Sequence, residues 1–246
     1  SLAAYYANKH MGLKVDGIIH VRTRTGILQT TQFVRDFAEK ENVNYLEADA
    51  GNVYENRVLS KGFFGRGLRA HSFAYHLLKK APLEKTISRN IRQGKRNRNV
   101  LILNGVRLSE SENRAKNYAK TPIRASGSNI WVNILQHWSK ADCQSILSEN
   151  KAPCNPVSKE LCRSGECMCG TMQSPQQRLE AASIYPQWGE WLDSLESRVK
   201  KKFPWGWGDS IPKTWSEEKK GQLRLLPYQE ESMPMCSDCT NKTKKR

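Results

Sequence analysis

The sequence predicts an α/β protein with a mostly parallel sheet, helices on both faces of that sheet, and a smaller helical or irregular C-terminal region that carries cysteines. Two short, largely apolar runs, Asp16–Val21 and Val100–Leu103, have the length of buried strands. Between them, Ile27–Glu41 carries apolar residues at helical spacing. Strands that alternate with helices in this way are typical of βαβ units, whose strands are parallel.

The other elements of the first half continue this alternation. In chain order we predict a helix end at Leu2–His10, a strand at Val43–Leu46, helices at Val53–Leu59 and Ala70–Leu78, a basic helix or arm at Lys85–Arg98, and a polar helix at Ser109–Tyr118. Ligands of parallel sheets bind beyond the carboxyl ends of the strands. The turns after Val21 and Leu103 are therefore the expected places for chemistry.

The composition changes near Ser126, which predicts an α/β domain over 1–125 and a second region over 126–246. Ser139 is followed three residues later by Asp142, a pattern that caps a helix start, so we predict a helix from there to Asn150. After it we predict two more helices and an irregular segment: Pro175–Ala182, Trp188–Lys201 and Phe203–Trp215.

The charge balance indicates an anionic partner. The 246 residues include 40 Lys and Arg against 24 Asp and Glu, a formal net charge of +16. Such an excess favours nucleic acid, nucleotides or acidic membrane surfaces as partners. No apolar run has the length of a membrane span, and the first residues lack the pattern of a signal peptide. We therefore expect no membrane partner, a cytoplasmic location and reduced thiols.

Four cysteines lie close together in the second region. Within the segment CNPVSKELCRSGECMCG they have the spacing C-x7-C-x4-C-x-C and are Cys154, Cys162, Cys167 and Cys169. Four thiolates suit an iron–sulfur cluster, while structural zinc usually takes paired C-x2-C knuckles. We predict a 4Fe-4S cluster, with zinc or metal-free buried thiols as alternatives. Cys236 and Cys239 form a weaker C-x2-C pair, and Cys143 is expected in the core.

Several stretches resemble phosphoadenosine phosphosulfate reductases over about residues 1 to 170. HVRTRTGILQTTQFV is similar to their H-x-D-T-G turn and following helix, and LILNGVRLSESENRA is similar to their G-x-R-x-x-E-S-x-x-R segment. NIWVNILQHWSKADCQSILSENKAPCNP resembles their P-I-x-x-W stretch that ends in N-P. The four-cysteine spacing is closer to the branch that inserts sulfur into DNA than to the adenylylsulfate reductases.

The resemblance implies an adenine nucleotide alpha-hydrolase-like fold and a nucleotide site in residues 1–125. Carried over by position, the nucleotide-binding residues would be Ser1, His20, Thr23, Arg24, Gly26, Gly105, Arg107 and Arg114. Of the family's phosphate loop only the final serine, Ser1, is present. Arg22 and Arg24 replace the acid and the glycine of D-T-G, and the C-terminal E-C-G-L-H nucleophile motif is missing.

The basic arm and the tryptophans are the remaining candidates for contact with a partner. The arm carries no acid and could contact phosphates through Arg89, Arg92, Lys95, Arg96 and Arg98. A solvated basic face is the alternative. Trp205, Trp207 and Trp215 could stack on bases, although such residues more often anchor a loop to the core.

Together these observations lead us to expect an iron–sulfur enzyme of sulfur transfer or reduction whose substrate is ATP or a sulfonucleotide. Its partners would be an adenine nucleotide, DNA or RNA, and a protein that donates sulfur or electrons. One alternative is a reductase of a small sulfonucleotide, which would need Cys236 or Cys239 as its nucleophile. The other is a non-catalytic, metal-stapled nucleic-acid-binding protein.

Overall fold

Five strands form two hydrogen-bonded sheets in the computed structural model, which describes residues 6–7, 9–95, 98–112, 115–116 and 121–218. In the first sheet, β1 (Gly17–Arg22) pairs in parallel with β2 (Asn44–Asp49). In the second, β3 (Val100–Asn104) pairs in parallel with β5 (Asn129–Asn133), and β4 (Ile123–Ser126) pairs antiparallel with β5.

Nine α-helices whose bounds are given below surround these strands, and residues 6, 7, 9, 112, 115 and 116 are also helical. They are α1 (Leu28–Lys40), α2 (Val53–Lys61), α3 (Leu68–Tyr75), α4 (Ala81–Thr86), α5 (Lys140–Glu149), α6 (Pro156–Leu161), α7 (Pro175–Ile184), α8 (Pro186–Lys200) and α9 (Lys213–Glu218). Two π-helical segments, His76–Lys80 and Ile87–Arg92, flank α4 and join it into one helical run that begins at Leu68. None of these helices is both long and apolar enough to cross a membrane.

The predicted α/β class is confirmed, and most predicted elements form within a few residues of their expected bounds. Ser139 caps α5 as expected: Asp142 N–H donates to its hydroxyl at 3.1 Å, and Ser139 N–H donates to the Asp142 carboxylate at 2.7 Å. The strands form two sheets rather than one. Strand β4 was not predicted, because its four residues are all exposed and leave no apolar signal.

The polar helix predicted from Ser109 begins later than expected: a 3-10 turn covers Leu108–Glu110, and residues 112, 115 and 116 are helical. Residues 113, 114 and 117–120 of that stretch lie outside the described residues. The predicted helix end at the start of the chain also falls largely on residues that are not described. Irregular structure was predicted for Phe203–Trp215, and α9 begins inside that segment at Lys213.

The main core lies between the helices and the segment that follows the four cysteines. It combines residues from both predicted regions: Tyr54, Val58, Leu78, Val157, Leu161, Met168, Leu192, Leu195, Trp205 and Trp207. Trp205 and Trp207 are 3% and 1% exposed. Their indole nitrogens donate to the carbonyls of Phe63 and Met168. These two tryptophans therefore anchor the Trp-rich loop to the core and are not available to stack on bases.

A buried carboxylate holds the Trp-rich loop on α8. Glu196 contacts Arg178 and Lys200 and accepts a hydrogen bond from Trp207 N–H at 3.2 Å. A side chain at Gly206 would collide with it, because a Cβ there would lie 1.8 Å from its carboxylate. Burial acts to raise the pKa of Glu196, but Arg178 and Lys200 outweigh burial and lower that pKa.

We predict that Glu196→Gln destabilises the protein by about 1.5–3 kcal/mol at neutral pH, since it removes a buried charged hydrogen-bond acceptor. A carboxylate with a lowered pKa stabilises the fold above its unfolded-state pKa, and this stabilisation is lost as the pH falls through the folded-state pKa. The difference between Glu196→Gln and the wild type should therefore shrink in acid. Urea unfolding between pH 3 and 7 measures it.

The matched control is Glu190→Gln, an exposed acid on the same helix. It should change the free energy of unfolding by less than about 0.5 kcal/mol. Equal effects of the two substitutions would contradict the anchoring role of Glu196.

Candidate active site beside the cysteine loop

The segment that carries the last three cysteines of the cluster, Cys162–Gly170, is here called the cysteine loop. It packs on the β1–α1 turn, Thr23–Ile27, which begins at the carboxyl end of β1. Ile27 N–H donates to the Gly165 carbonyl at 2.8 Å, and Met168 N–H donates to Thr25 Oγ1 at 3.2 Å. The cysteines are thereby held at the sheet edge where ligands of parallel sheets bind.

Gly26 permits this contact. A Cβ at Gly26 would lie 2.3 Å from the Glu166 carbonyl oxygen and 2.7 Å from that of Gly165. Both atoms belong to the backbone, which has little freedom to move away. The prediction that Gly26 belongs to the site is thus consistent with its position, and the structure shows that its neighbour is the cysteine loop.

Glu166 is the polar centre of the contact. Its carboxylate accepts a hydrogen bond from Thr23 N–H at 2.9 Å, and its carbonyl accepts one from Thr23 Oγ1 at 2.6 Å. The other carboxylate oxygen is buried and accepts no hydrogen bond from the described residues, although His20 Nε2 lies 3.1 Å away. That contact becomes an ion pair when the imidazole is protonated. His20 and Thr23 thus both face the cysteine loop.

Cys167 and Cys169 form a close pair, with their sulfur atoms 3.8 Å apart. The hydrogen bond that Cys167 donates lowers the pKa of Cys169 to about 6, and the same interaction raises the pKa of Cys167. Burial acts to lower the pKa of Lys79, but electrostatic interactions with Cys167, Glu166 and Cys169 outweigh burial and raise that pKa. A lysine therefore supplies positive charge to the thiol pair.

The other two cysteines of the predicted cluster, Cys154 and Cys162, are exposed. Cys162 ends α6 in a left-handed conformation with φ of 54°. Among the described residues, no three Cys, His, Asp or Glu side chains lie close enough together to hold a metal ion. The structure thus brings two of the four predicted ligands into contact.

A cavity of about 340 Å³ opens beside the cysteine loop at the carboxyl ends of β1 and β2. We call it the turn cavity. Glu166 lines it, as do Arg22, Arg24, Gly26, Gly51, Tyr54, Trp188 and Trp191. Trp188 is fixed there because its indole N–H donates to the Thr25 carbonyl at 3.0 Å. Aromatic walls with a few polar groups are typical of sites for small molecules.

The arginines of the turn cavity are already paired with carboxylates. Arg24, at φ of 61°, donates one bifurcated hydrogen bond from Nε to the two carboxylate oxygens of Asp49, at 2.8 and 3.0 Å, and a second from Nη2. Arg22 contacts Glu47 at 3.1 Å and lies 3.9 Å from Asp49. The hydrogen bond from Arg24 is the largest cause that lowers the pKa of Asp49. A negatively charged ligand of Arg24 must therefore compete with Asp49.

Two of the predicted nucleotide-binding residues lie elsewhere. Gly105 and Arg107 line a second cavity, of about 560 Å³, between β1 and β3. Arg107 Nε contacts Glu110 at 3.1 Å, but its Nη1 is buried and has no hydrogen-bond partner among the described residues. The predicted nucleotide residues are thus divided between two cavities.

A comparison with protein-family models matches residues 2–173 to the phosphoadenosine phosphosulfate reductase domain. The matched range ends just after the cysteine loop and includes the β1–α1 turn. The chain belongs to the phosphoadenosine phosphosulfate reductase domain family. The resemblance predicted from the sequence motifs is thereby confirmed, and it places the chain in a sulfonucleotide-related enzyme family. No curated protein matches the chain significantly.

The basic arm of this reductase-family chain is partly engaged in its own structure. Arg92 donates to the Arg98 carbonyl and to the Asn129 side chain, and Arg98 donates to the Ile91 carbonyl. Arg89 and Lys95 are exposed. Of the predicted site residues, Ser1, Arg96, Arg114, Cys236 and Cys239 lie outside the described residues.

Residues that sequence reasoning missed belong to the candidate site. Glu166, Lys79, Trp188 and Trp191 were not predicted as site residues, yet they surround the thiol pair or line the turn cavity. Glu166 could have been suspected as a site residue from the sequence, because it is an acidic residue within the segment that carries the cysteines. Lys79 and the two tryptophans lie far from the motifs in sequence and had no such signal.

Proposed function

We propose that this protein is an iron–sulfur enzyme that binds an adenine nucleotide or sulfonucleotide in the turn cavity and acts in sulfur transfer or reduction. The observation that carries the proposal is that Glu166 belongs both to the cysteine loop and to the wall of the turn cavity. Membership of the reductase family supports the class of substrate.

Different residues of the turn cavity would bind different parts of the ligand. Trp188 and Trp191 provide apolar surface for a base, and Arg24 provides a planar donor for phosphate or sulfate. Glu166 Oε2, buried and without a hydrogen bond from the described residues, can accept a proton or a hydroxyl hydrogen bond from the ligand. Thr23 N–H holds the carboxylate in place through its other oxygen, and His20 Nε2 lies 3.1 Å from Oε2.

The four cysteines suit a metal centre by their chemistry. In a tetrahedral centre with metal–sulfur bonds of about 2.3 Å, neighbouring sulfurs lie roughly 3.8 Å apart. Cys167 and Cys169 have this separation, which fits two ligands of a single metal ion such as zinc. In a 4Fe-4S cluster each cysteine would bind a different iron, and Cys154 and Cys162 would supply the other two ligands. A bound 4Fe-4S cluster would supply electron transfer or hold the substrate-binding loop. Lys79 would offset part of the negative charge of the thiolates.

Reduction of a small sulfonucleotide is a variant of the same chemistry. It requires a nucleophilic thiol outside the four ligands. Cys236 and Cys239 are the candidates, and both lie outside the described residues.

We predict that Asp49→Asn strengthens the binding of adenosine 5′-phosphosulfate, because it removes the carboxylate that competes for Arg24. Arg24→Gln should weaken binding by about 10-fold or more, in line with the loss of a charged hydrogen bond. Isothermal titration calorimetry with the three proteins measures both effects.

The control is Asp36→Asn, which removes the same charge from an exposed position on α1. If Asp36→Asn strengthens binding as much as Asp49→Asn does, net charge explains the effect and Arg24 does not contact the ligand.

We predict that protein purified without oxygen contains about four irons and four sulfides per chain. Cys162→Ser and Cys167→Ser should lose this iron, whereas Cys143→Ser, at a cysteine outside the cluster, should keep it. Colorimetric iron and sulfide assays, zinc analysis and visible absorbance provide the measurement. One zinc and no sulfide per chain would overturn the iron–sulfur proposal and favour a metal-stapled binding protein.

We propose nucleic acid as the second partner on the basis of the net charge of +16 and the exposed Arg89 and Lys95. Each lost phosphate contact should lower the slope of log affinity against log salt by about 0.7 for a single strand. We expect this for Arg89→Gln and Lys95→Gln in fluorescence anisotropy with a labelled 20-nucleotide oligothymidine.

Lys40→Gln is the charge-matched control at the exposed end of α1. An equal loss of slope in all three variants would mean that the arm has no specific role. Binding that does not depend on salt would exclude phosphate contacts altogether.

A further inference from the structure

The helical run 68–92 lies wholly within the described residues, and its exposed charges are mostly positive. Its exposed basic side chains are those of Arg69, Lys80, Lys85 and Arg89, and its exposed acid is Glu84. Glu84 lies 3.9 Å from Lys80. The other three basic residues form no ion pair with the described residues. They are therefore available to bind an anion.

The two π-helical segments bring these basic residues to one side of the run. In a continuous α-helix, Lys85 would face about 160° away from Arg69, because successive residues are separated by about 100°. The π-helical segment His76–Lys80 lies between them. Its i→i+5 turn holds one extra residue, which reduces the separation to about 60°. The second π-helical segment contains Arg89 and turns it towards the same side. Side chains that these angles place on the opposite side are buried, as observed for Ala74, Leu78 and Thr86.

An exposed aromatic ring lies among these cations. Phe73 follows Arg69 by one helical turn, so the two side chains are neighbours on one face, and Phe73 is 51% exposed. Two neighbours hold its ring: Arg57 Cζ lies 5.9 Å from the ring centroid, and the Phe64 centroid lies 6.0 Å away. A ring that is already held in place loses little conformational entropy when a planar group stacks on it.

We call this surface the basic strip and define it by Arg69, Phe73, Lys80, Lys85 and Arg89. From Arg69 to Arg89 it extends over about 30 Å, at about 1.5 Å per residue. Surfaces that bind single-stranded nucleic acid combine such a basic track with aromatic side chains on which bases stack. The bases of a duplex are already stacked on one another, so only a single strand offers a free base to Phe73.

We propose that the basic strip binds single-stranded nucleic acid, with phosphates on Arg69, Lys85 and Arg89 and one base stacked on Phe73. The inference rests on the nucleic-acid partner proposed above. It adds the place where a base is bound, and it extends the contact from the arm along the helical run that precedes it.

The probes are two fluorescein-labelled strands of 20 units, oligothymidine and an abasic deoxyribose phosphate strand of equal charge. In fluorescence anisotropy, the wild type should bind oligothymidine at least about 5-fold more tightly than the abasic strand, as expected for one stacked base. Phe73→Ala should bind the two strands equally. Its slope of log affinity against log salt should stay unchanged, because the substitution removes no charge.

Tyr75→Ala is the matched control, since Tyr75 is an aromatic residue of the same run that is 45% exposed. It lies about 200° round the axis from Phe73 and should keep the preference for oligothymidine. Arg69→Gln should lower the salt slope by about 0.7 for a single strand and should also keep the preference. Circular dichroism and thermal unfolding check that the variants fold.

The stacking contact is overturned if the wild type binds both strands equally, or if the preference for oligothymidine survives Phe73→Ala. An unchanged salt slope in Arg69→Gln would overturn the role of the basic strip in phosphate binding. A 20-base-pair duplex that binds as tightly as oligothymidine would assign the surface to duplex backbone and contradict the proposal.

Failure of the proposed partner gives a different result. If no strand binds to the wild type, the nucleic-acid partner and the basic strip are both wrong. If Arg89→Gln and Lys95→Gln lower the salt slope while Phe73→Ala has no effect, the partner stands and only the inference about the basic strip is wrong.

Discussion

The close contact between the cysteine loop and the β1–α1 turn is the constraint on which the rest of the site depends. Two backbone segments approach so closely that only Gly26 fits between them. Buried backbone groups need partners, and here Thr23, Thr25 and Ile27 satisfy those of Gly165, Glu166 and Met168. The hydroxyl groups of Thr23 and Thr25 thus form hydrogen bonds with backbone groups of the cysteine loop. These bonds hold the thiol pair in a fixed position.

The same contact determines how charge is arranged around the thiols. The chain as a whole is strongly basic, but the cations nearest to the turn cavity are paired with Glu47 and Asp49. Lys79 interacts electrostatically with the thiol pair, and its raised pKa reflects Cys167, Glu166 and Cys169. Local neutrality at the site and net charge on the surface are therefore separate properties. Under the proposed function, the first determines which anionic ligand can compete with Asp49 for Arg24, and the second determines how fast anions reach the site.

The sequence allowed prediction of those features that depend on local patterns. The capped start at Ser139, the strand at Val100 and the amphipathic helix after Ile27 each follow from neighbours in sequence. The residues around the thiols are different, because Thr23 and Glu166 meet across 143 positions of the chain. No periodicity encodes such a contact. Gly26 was predicted as a site residue from the family motif. A glycine is needed there because the Glu166 carbonyl lies so close, and only the three-dimensional structure shows this contact.

The main core explains why the candidate site can be rigid. In the described part of the chain that core joins α2, the helical run from Leu68, α8 and the Trp-rich loop, and it includes no residue of β3, β4 or β5. The cysteine loop belongs to it through Met168 and Cys169. Because Trp207 donates to the Met168 carbonyl and Glu196 holds Trp207, the thiols are connected to the most buried part of the protein. The position of the thiol pair therefore depends on this helical core and not on the second sheet.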